Sequence, residues 1–316
     1  MLISAVKNKI IALVGPTASG KTAAGVELAL KTGGRILSAD SMAVYRNMDI
    51  GTAKPTEAER KGVVFYGIDV ADPKSDFSVG DFQKIAHAAI DETLSAGENI
   101  FVVGGSGLYV RAAVDGINDT IPAGDESIRA EYGGYLAEHG ADALHKLLEE
   151  IDPETAAAVH ANNTKRVIRM LEICRLTGRK ASEIFAEDRA LGPKYEAEFF
   201  GLRMTPEVLY ERIERRVDMM MEMGLIGEVE RLLAEGVKPG CTAMMGLGYK
   251  ETADYLLGKC SLEEAVAGIK INTRHFAKRQ YTWFRADSRI RWINVDVMDC
   301  TVLSEKIRSE INGLNR

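Results

Sequence analysis

Residues 15–22, GPTASGKT, carry the strongest chemical signal in the sequence. They match the phosphate-binding pattern GxxxxGK[ST] and stand between an apolar run at residues 10–14 and an Ala-rich segment typical of a helix. The glycines of such a loop let backbone N–H groups point inward, and the start of the helix adds partial positive charge. We expect phosphates to be bound by the whole loop: Gly15, Pro16, Thr17, Ala18, Ser19, Gly20, Lys21 and Thr22. In this motif Lys21 reaches the outer phosphate and Thr22 helps to hold a magnesium ion.

Asp40 is the candidate general base. A strand predicted over residues 35–38 ends just before it, which places Asp40 at the carboxyl edge of the sheet, where open α/β sheets bind ligands. A carboxylate there can accept a proton from an attacking hydroxyl or amine. The structural alternative for Asp40 is an N-cap of the next segment.

An acidic magnesium ligand is missing where a kinase or nucleotide hydrolase would carry one. The apolar strand predicted at residues 100–103 ends in Gly104-Gly105-Ser106-Gly107 instead of an aspartate. Asp69 is the alternative ligand, in a less clear strand context. The pattern therefore favours a reaction in which diphosphate leaves and carbon is transferred, while ATP binding stays open.

The composition is that of a globular protein, with 46% hydrophobic residues in 316. No apolar run approaches the length of a membrane span, so we expect a cytoplasmic protein without membrane contact. The four cysteines include no CxxC pair and the five histidines no HExxH spacing, so we assign no metal to them.

Positive charge is concentrated in two stretches of an acidic chain. The net charge is −6, yet residues 160–180 contain six basic residues against Glu172 alone, and residues 270–291 contain seven against Asp287 alone. A polyanionic partner would be attracted to such stretches. The alternative is two solvated helix faces.

Strand and helix patterns alternate over the first hundred residues, with strands predicted at 9–14, 35–38, 63–70 and 100–103. This alternation predicts the α/β class, with a P-loop NTPase-like parallel sheet flanked by helices. Residues 116–199 show helical periodicity instead, which predicts an inserted helical domain between core segments 1–115 and 200–316. A strand is expected to return near residue 198, and a late strand is expected at 291–295.

Thr205-Pro206 predicts the start of a long helix, followed by a basic helix over residues 270–285. Arg212 and Arg216, four residues apart, share one face of the first helix and could both point at an anion. The alternative is surface arginines paired with Glu211 or Glu214. We expect Trp283, Met219–Met221 and Met223 to be packing residues rather than ligand contacts.

Seven blocks together resemble one family. They are GPTASGKT (15–22), SADSMAVY (38–45), MDIGTAKP (48–55), VGGSGLY (103–109), KRVIRMLEI (165–173), GLGYKE (246–251) and KRQYTWFR (278–285). In this order and over most of the chain, they look like the signatures of the bacterial tRNA dimethylallyltransferases.

The resemblance implies transfer of a dimethylallyl group from dimethylallyl diphosphate to N6 of the adenosine at tRNA position 37, with Mg²⁺ as cofactor. It implies that Thr17–Thr22 bind the diphosphate, that Lys21 and Arg216 stabilise its charge, and that Asp40 takes the N6 proton. It also implies tRNA contacts near the anticodon from Asp40, Ser41, Met42, Ala43, Ser106, Arg129, Lys165, Arg166, Val167, Ile168 and Arg169. A single-chain active site favours a monomer.

Two departures affect the tRNA-facing positions: Ala43 stands where the family usually has glutamine, and Ser106 where it has threonine. Serine keeps the hydroxyl, whereas Ala43 removes a side-chain hydrogen bond.

Three alternatives remain. A small-molecule kinase would use the loop and Asp40 but not the basic insertion, and an adenylate-type isopentenyltransferase would not need that surface either. An RNA-binding protein with a nucleotide switch would not need a base.

Overall fold

The computed structural model describes residues 8–117 and 120–313, without the side chain of Asn312. The chain forms two compact units. The core unit runs up to Val114 and resumes at Tyr195, and the insertion unit is Asp115–Lys194. Residues 195–199, which we had assigned to the insertion, therefore belong to the core unit, because the Tyr195 amide bonds to the Val114 carbonyl and a sheet strand follows at once.

The core unit contains a parallel sheet, as predicted. Among the described residues its strands are β1 (Ile10–Val14), β2 (Arg35–Ser38), β3 (Phe65–Tyr66), β4 (Ile100–Gly104), β5 (Ala197–Arg203) and β6 (Ile290–Asn294). They lie in the order β3-β2-β4-β1-β5-β6, and every neighbouring pair is parallel. The strand order changes direction at β1, which is where doubly wound sheets open a ligand crevice.

Helices flank this sheet. In the described part of the core unit they are α1 (Lys21–Thr32), α2 (Glu57–Arg60), α3 (Val79–Ser95), α4 (Gly107–Val114), α9 (Pro206–Glu222), α10 (Leu225–Ala234), α11 (Tyr249–Leu256), α12 (Leu262–Arg285) and α13 (Cys300–Gly313). Ser78 caps α3, because its hydroxyl accepts the Asp81 amide, and α9 begins at Thr205-Pro206 as predicted, although the Thr205 side chain makes no capping hydrogen bond.

Apolar side chains from strands and helices form one continuous core. Buried residues of β1, β4 and β5 pack with buried residues of α1, α9, α12 and α13. All five residues of β1 and of β4 are buried, as expected for central parallel strands. The register pairs Val14 with Gly104 and Ser38 with Val103, so β1, β2 and β4 end at the same level.

The strand predicted over residues 63–70 was wrong in length, because β3 contains only Phe65 and Tyr66. The extended chain stops where Gly67 and Asp69 adopt positive φ angles of 75° and 57°. Gly67 also lies so close to the Ser38 carbonyl that a Cβ would approach its oxygen to 2.8 Å.

The insertion unit is helical where it is described. Its helices are α5 (Glu126–Ile151), which is interrupted at Gly140, α6 (Pro153–Ala158), α7 (Thr164–Thr177) and α8 (Ala181–Ala190). Its core includes Leu144, Leu148, Val167 and Leu171. Asn118 and Asp119, inside the predicted insertion, lie outside the described residues. No helix in the described ranges has the length and apolar character to cross a bilayer.

Candidate functional site

The phosphate-binding loop leads from the end of β1 into α1. Gly15 has a φ of 144° and lies against β5, so that a Cβ would come within 2.8 Å of the Leu202 carbonyl oxygen. Gly20 takes a left-handed conformation (φ 85°) as the N-cap of α1, and no side chain caps the first turn. The amides at the start of α1 are therefore left for an anionic ligand, as the motif predicts.

Lys21 is buried in the loop and held by the loop itself. Its ammonium group donates to the Pro16 carbonyl at 2.5 Å, and the Ser19 hydroxyl donates to the same carbonyl at 2.7 Å. Burial lowers the pKa of Lys21 to about 7, with a further lowering by Arg216 and an opposing effect of Asp40. A lysine in this state gains its full charge when a phosphate provides the missing counter-charge.

Arg216 brings a second cation to Lys21. Burial lowers the pKa of its guanidinium, while the nearby carboxylates Asp40 and Glu59 raise it. Arg212 does not share this position, because its guanidinium reaches the Asp296 carbonyl at 3.5 Å. The hypothesis that both arginines point at one anion is therefore not supported, and Arg216 alone is placed for it.

Asp40 lies at the carboxyl edge next to the loop, as predicted. One carboxylate oxygen, Oδ1, accepts the Met42 amide at 2.9 Å, which fixes the orientation of the side chain. The negative charge of Asp40 acts to raise the pKa of both Lys21 and Arg216. The geometry thus combines two cations and one half-buried carboxylate around the phosphate-binding loop.

Ser106 joins the segment after β4 to the segment after β2. Its hydroxyl accepts the Ser41 amide at 3.0 Å and lies 3.2 Å from the Ser41 hydroxyl, while its own amide donates to Ala39. Serine in place of the family's usual threonine keeps this connection. Ala43 is buried and its carbonyl accepts the Asp69 amide, so its side chain offers no polar contact.

Gln280 is a loop-contacting residue that sequence reasoning missed. Its carboxamide oxygen accepts the Thr17 amide at 2.8 Å, and its NH₂ group donates to the Gly105 carbonyl at 3.0 Å. A signal was present, because Ala277, Gln280 and Phe284 continue the buried stripe of α12. A glutamine on such a stripe requires hydrogen-bond partners.

Glu228 on α10 organises the segment after Met48. This buried carboxylate accepts the amides of Asp49, Ile50 and Gly51, and the Tyr249 hydroxyl donates to it at 2.5 Å. Burial and the neighbouring Glu228 raise the pKa of Tyr249. The blocks at residues 48–55 and 246–251 are thereby joined through one carboxylate that the sequence analysis did not single out.

The magnesium alternative at Asp69 was wrong. Asp69 forms an ion pair with buried Lys54 at 2.6 Å, and Lys54 also pairs with Asp49 at 2.7 Å. The described residues contain no group of three or more His, Cys, Asp or Glu side chains suited to a metal. Thr22 is exposed in the first turn of α1, at the position where the hydroxyl of a GxxxxGK[ST] motif binds Mg²⁺ beside a phosphate.

The insertion unit holds the other predicted tRNA contacts in two different environments. Arg129 and Arg169 both pair with Glu172, whose side chain is fully buried, and Arg129 Nε lies 2.8 Å from it. Lys165 and Arg166 are exposed and have no ion-pair partner among the described residues. Ile168 packs partly against the apolar core of this unit.

The prediction that Val167 contacts tRNA must be corrected. It is completely buried in the core of the insertion unit, so its side chain stabilises α7 and is not placed to contact RNA.

The cations of the second basic stretch make two kinds of contact within the chain. Lys270, Arg274, Arg289 and Arg291 form ion pairs with carboxylates. The remaining three cations contact aromatic rings instead: Lys278 lies 5.9 Å from Tyr210, Arg279 5.8 Å from Phe276 and Arg285 5.3 Å from Tyr281, each measured to the ring centroid.

The expected packing of Trp283 and the methionines is only partly observed. Trp283 lies against Gly107 yet remains 51% exposed. Met220 is buried, whereas Met219 and Met223 are 46% and 63% exposed and do not pack as predicted.

Comparison with known proteins gives consistent results. The IPP transferase family model matches residues 43–287, and an isopentenyl transferase model matches residues 8–70. A tRNA dimethylallyltransferase 2 from Geotalea uraniireducens is 46% identical over 301 residues, which are 95% of this chain and 97% of that protein. A tRNA dimethylallyltransferase from Pelotomaculum thermopropionicum is 46% identical over 309 residues, 98% of each chain.

Solved structures agree with these relatives. The tRNA isopentenylpyrophosphate transferase of Bacillus halodurans is 43% identical, with a TM-score of 0.71 over 97% of this chain and 98% of that one. A eukaryotic dimethylallyltransferase acting on tRNA is 28% identical, with a TM-score of 0.82 over 98% of this chain and 80% of that one. The predicted fold class and the resemblance are both confirmed.

The charge arrangement at Lys21 predicts how its pKa responds to substitution. Arg216→Met removes a cation and should raise the pKa of Lys21 above about 7, whereas Asp40→Asn removes an anion and should lower it. The measurement is an NMR pH titration of protein labelled with [13Cε]lysine, with the signal assigned by Lys21→Met. A wild-type midpoint above pH 9, or shifts of the opposite sign, would contradict the described geometry.

Proposed function

Because this chain belongs to the IPP transferase family, we propose that it transfers a dimethylallyl group from dimethylallyl diphosphate to N6 of adenosine 37 in tRNA, with release of diphosphate. The observation that carries the proposal is the grouping of Lys21 and Arg216 with Asp40 at the phosphate-binding loop. This grouping suits a reaction in which a diphosphate leaves while a proton is taken from the attacking amine.

The donor's diphosphate binds to the loop and to the free amides at the start of α1. The Thr17 amide is already used by Gln280, so in our proposal Thr17 acts through its hydroxyl. Lys21 and Arg216 neutralise the charge that grows on the leaving diphosphate as the carbon–oxygen bond breaks. Anion binding favours the ammonium form of Lys21, so donor affinity is greatest below pH 7 and falls as the pH rises above it.

Asp40 serves as the base in this scheme. The adenine N6 nitrogen forms a bond to C1 of the dimethylallyl group, the bond from C1 to the diphosphate oxygen breaks, and the proton lost from N6 passes to the Asp40 carboxylate. Since Oδ1 accepts the Met42 amide, Oδ2 is the atom we assign to receive the proton. An exocyclic amine on an aromatic ring is a weak nucleophile, which is why both the base and the activated leaving group are needed.

Mg²⁺ is proposed as the cofactor, with Thr22 as its protein ligand. The ion would supply further charge neutralisation to the diphosphate oxygens.

The acceptor base has to leave the stacked anticodon loop to be modified. We assign Ser41, Met42 and Ser106 in the core unit to contacts with it. Ala43, which was predicted among these contacts, is buried and its carbonyl accepts the Asp69 amide, so we assign it none. In the insertion unit, exposed Lys165 and Arg166 are assigned to phosphate contacts, with Arg129 and Arg169 as cations positioned by Glu172.

A kinase is disfavoured because β4 ends in glycine and Asp69 is engaged by Lys54. An adenylate-type transferase has no use for a basic insertion, and Lys165 and Arg166 are exposed without a carboxylate partner among the described residues. We further propose that the protein acts in the cytoplasm as a monomer, since the proposed donor site draws its residues from one chain.

A transfer assay tests the function directly. Purified protein with Mg²⁺ should move labelled dimethylallyl from its diphosphate onto an unmodified anticodon stem-loop with adenosine at position 37. The control is the same stem-loop with guanosine there, which should remain unlabelled. Labelling of free AMP in preference to the stem-loop would refute the acceptor assignment.

Asp40→Asn should reduce turnover by roughly a hundredfold, because the amide cannot accept the N6 proton, while tRNA affinity changes little. Turnover is measured at saturating donor and tRNA affinity by filter binding. Asp76→Asn, at an exposed carboxylate outside the site, is the matched control. Unchanged turnover in Asp40→Asn would show that Asp40 is not the general base.

Arg166→Ala should weaken tRNA binding and reduce the slope of log affinity against log salt by about one, because one phosphate contact is lost. The KM for the donor should stay within about twofold. Arg189→Ala removes another exposed arginine of the insertion unit and should leave the slope unchanged. Equal salt slopes for wild type and Arg166→Ala would contradict the assignment.

A further inference from the structure

We propose that Gln280 is a positioning residue that holds the donor loop and the acceptor-side segment in fixed relation. The inference rests on the proposed function for its kinetic consequences, but not for its geometry. Gln280 lies on α12, outside both loops, and is 5% exposed.

The carboxamide of Gln280 has two separate tasks. Its oxygen accepts the Thr17 amide in the loop after β1, and its nitrogen donates to the Gly105 carbonyl after β4. An amide performs both tasks in one plane, whereas an ionised carboxylate accepts only and an apolar side chain does neither. Because the group is buried, a lost partner is not replaced by bulk water.

The connection continues from Gly105 to Asp40, the proposed general base. Ser106 follows directly, its hydroxyl accepts the Ser41 amide, and Asp40 precedes Ser41. Thr17 and Asp40, which we assign to donor and acceptor chemistry, are thus linked through Gln280 and Ser106. A displacement of about 1 Å between reacting groups can cost a hundredfold in rate, so loss of this link should lower turnover as well as weaken diphosphate binding to the loop.

The Gln280 carboxamide is also closely packed against Gly105. A Cβ added to Gly105 would lie 2.1 Å from Gln280 Nε2, so Gly105→Ala must displace the carboxamide. Gly105 does not have a positive φ, which means that alanine itself causes no backbone strain. Gly105→Ala therefore perturbs the same contact from the opposite side.

The main test is a double-mutant cycle of Gln280→Met and Gly105→Ala. Each single variant should lower kcat by about 10- to 100-fold and leave the Kd for tRNA within about threefold. The double variant should be no worse than about threefold below the poorer single one, because both remove one contact. The proposal would be overturned if the losses of the two single variants multiply in the double variant. It would also be overturned if the single variants keep the wild-type kcat, or if they lose tRNA binding in parallel with kcat. Thr282→Ala, at an exposed site on the same helix, is the control.

Gln280→Glu provides a readout that a purely structural role would not produce. Protonated glutamate can donate to Gly105, whereas the ionised form places two acceptors together. Because burial raises the pKa of a carboxyl group, the ratio of variant to wild-type kcat should rise as the pH is lowered from 8 to 5, while the ratio for Gln280→Met stays flat. A flat ratio in Gln280→Glu would overturn the proposal.

Binding of inorganic diphosphate, measured by calorimetry without tRNA or transfer, separates this proposal from the proposed function. Gln280→Met should weaken it at least tenfold relative to wild type even if no acceptor is ever labelled. Undiminished binding in that variant would refute the role of Gln280 whatever the reaction is.

Discussion

The close approach of two strand ends is the constraint on which the site depends. Gly104 at the end of β4 lies against the residue after β2, so close that a Cβ would come within 2.0 Å of the Ala39 carbonyl oxygen. Only a glycine allows this contact. The Ala39 carbonyl also accepts the Ser106 amide, and the next residue along the chain is Asp40. The position of the candidate base is thus determined by backbone packing before any side chain contributes.

Electrostatics then explains why the site is suited to an anion. Two cations, Lys21 and Arg216, are placed near each other, with Asp40 and Glu59 as opposing charges, and burial lowers the pKa of both cations. Such an arrangement costs stability until a diphosphate binds. Two buried carboxylates elsewhere have several partners: Glu172 has two arginines, and Glu228 has three amides and a phenol.

Local patterns were sufficient to predict much of this molecule, and tertiary contacts account for the rest. GPTASGKT, the strand before Asp40 and the helix start at Thr205-Pro206 depend on neighbours in sequence, and each is observed where predicted. The strand at 63–70 failed because close packing of Gly67 on β2 overrides its β-branched pattern. Arg212 and Arg216 share a helix face, but only the three-dimensional position of Asp296 shows that Arg212 is engaged elsewhere. Gln280 and Glu228 act on segments far away in the chain, where periodicity can indicate burial but not the partner.

The hydrogen bond between Thr17 and Gln280 has a consequence for the order of events during synthesis. The two residues are separated by 263 positions, and the strand β6 that completes the sheet begins only at Ile290. The motif leaves the ribosome 263 residues before Gln280 does. A nascent chain therefore carries the complete GxxxxGK[ST] sequence well before the hydrogen bond that supports its binding loop can form.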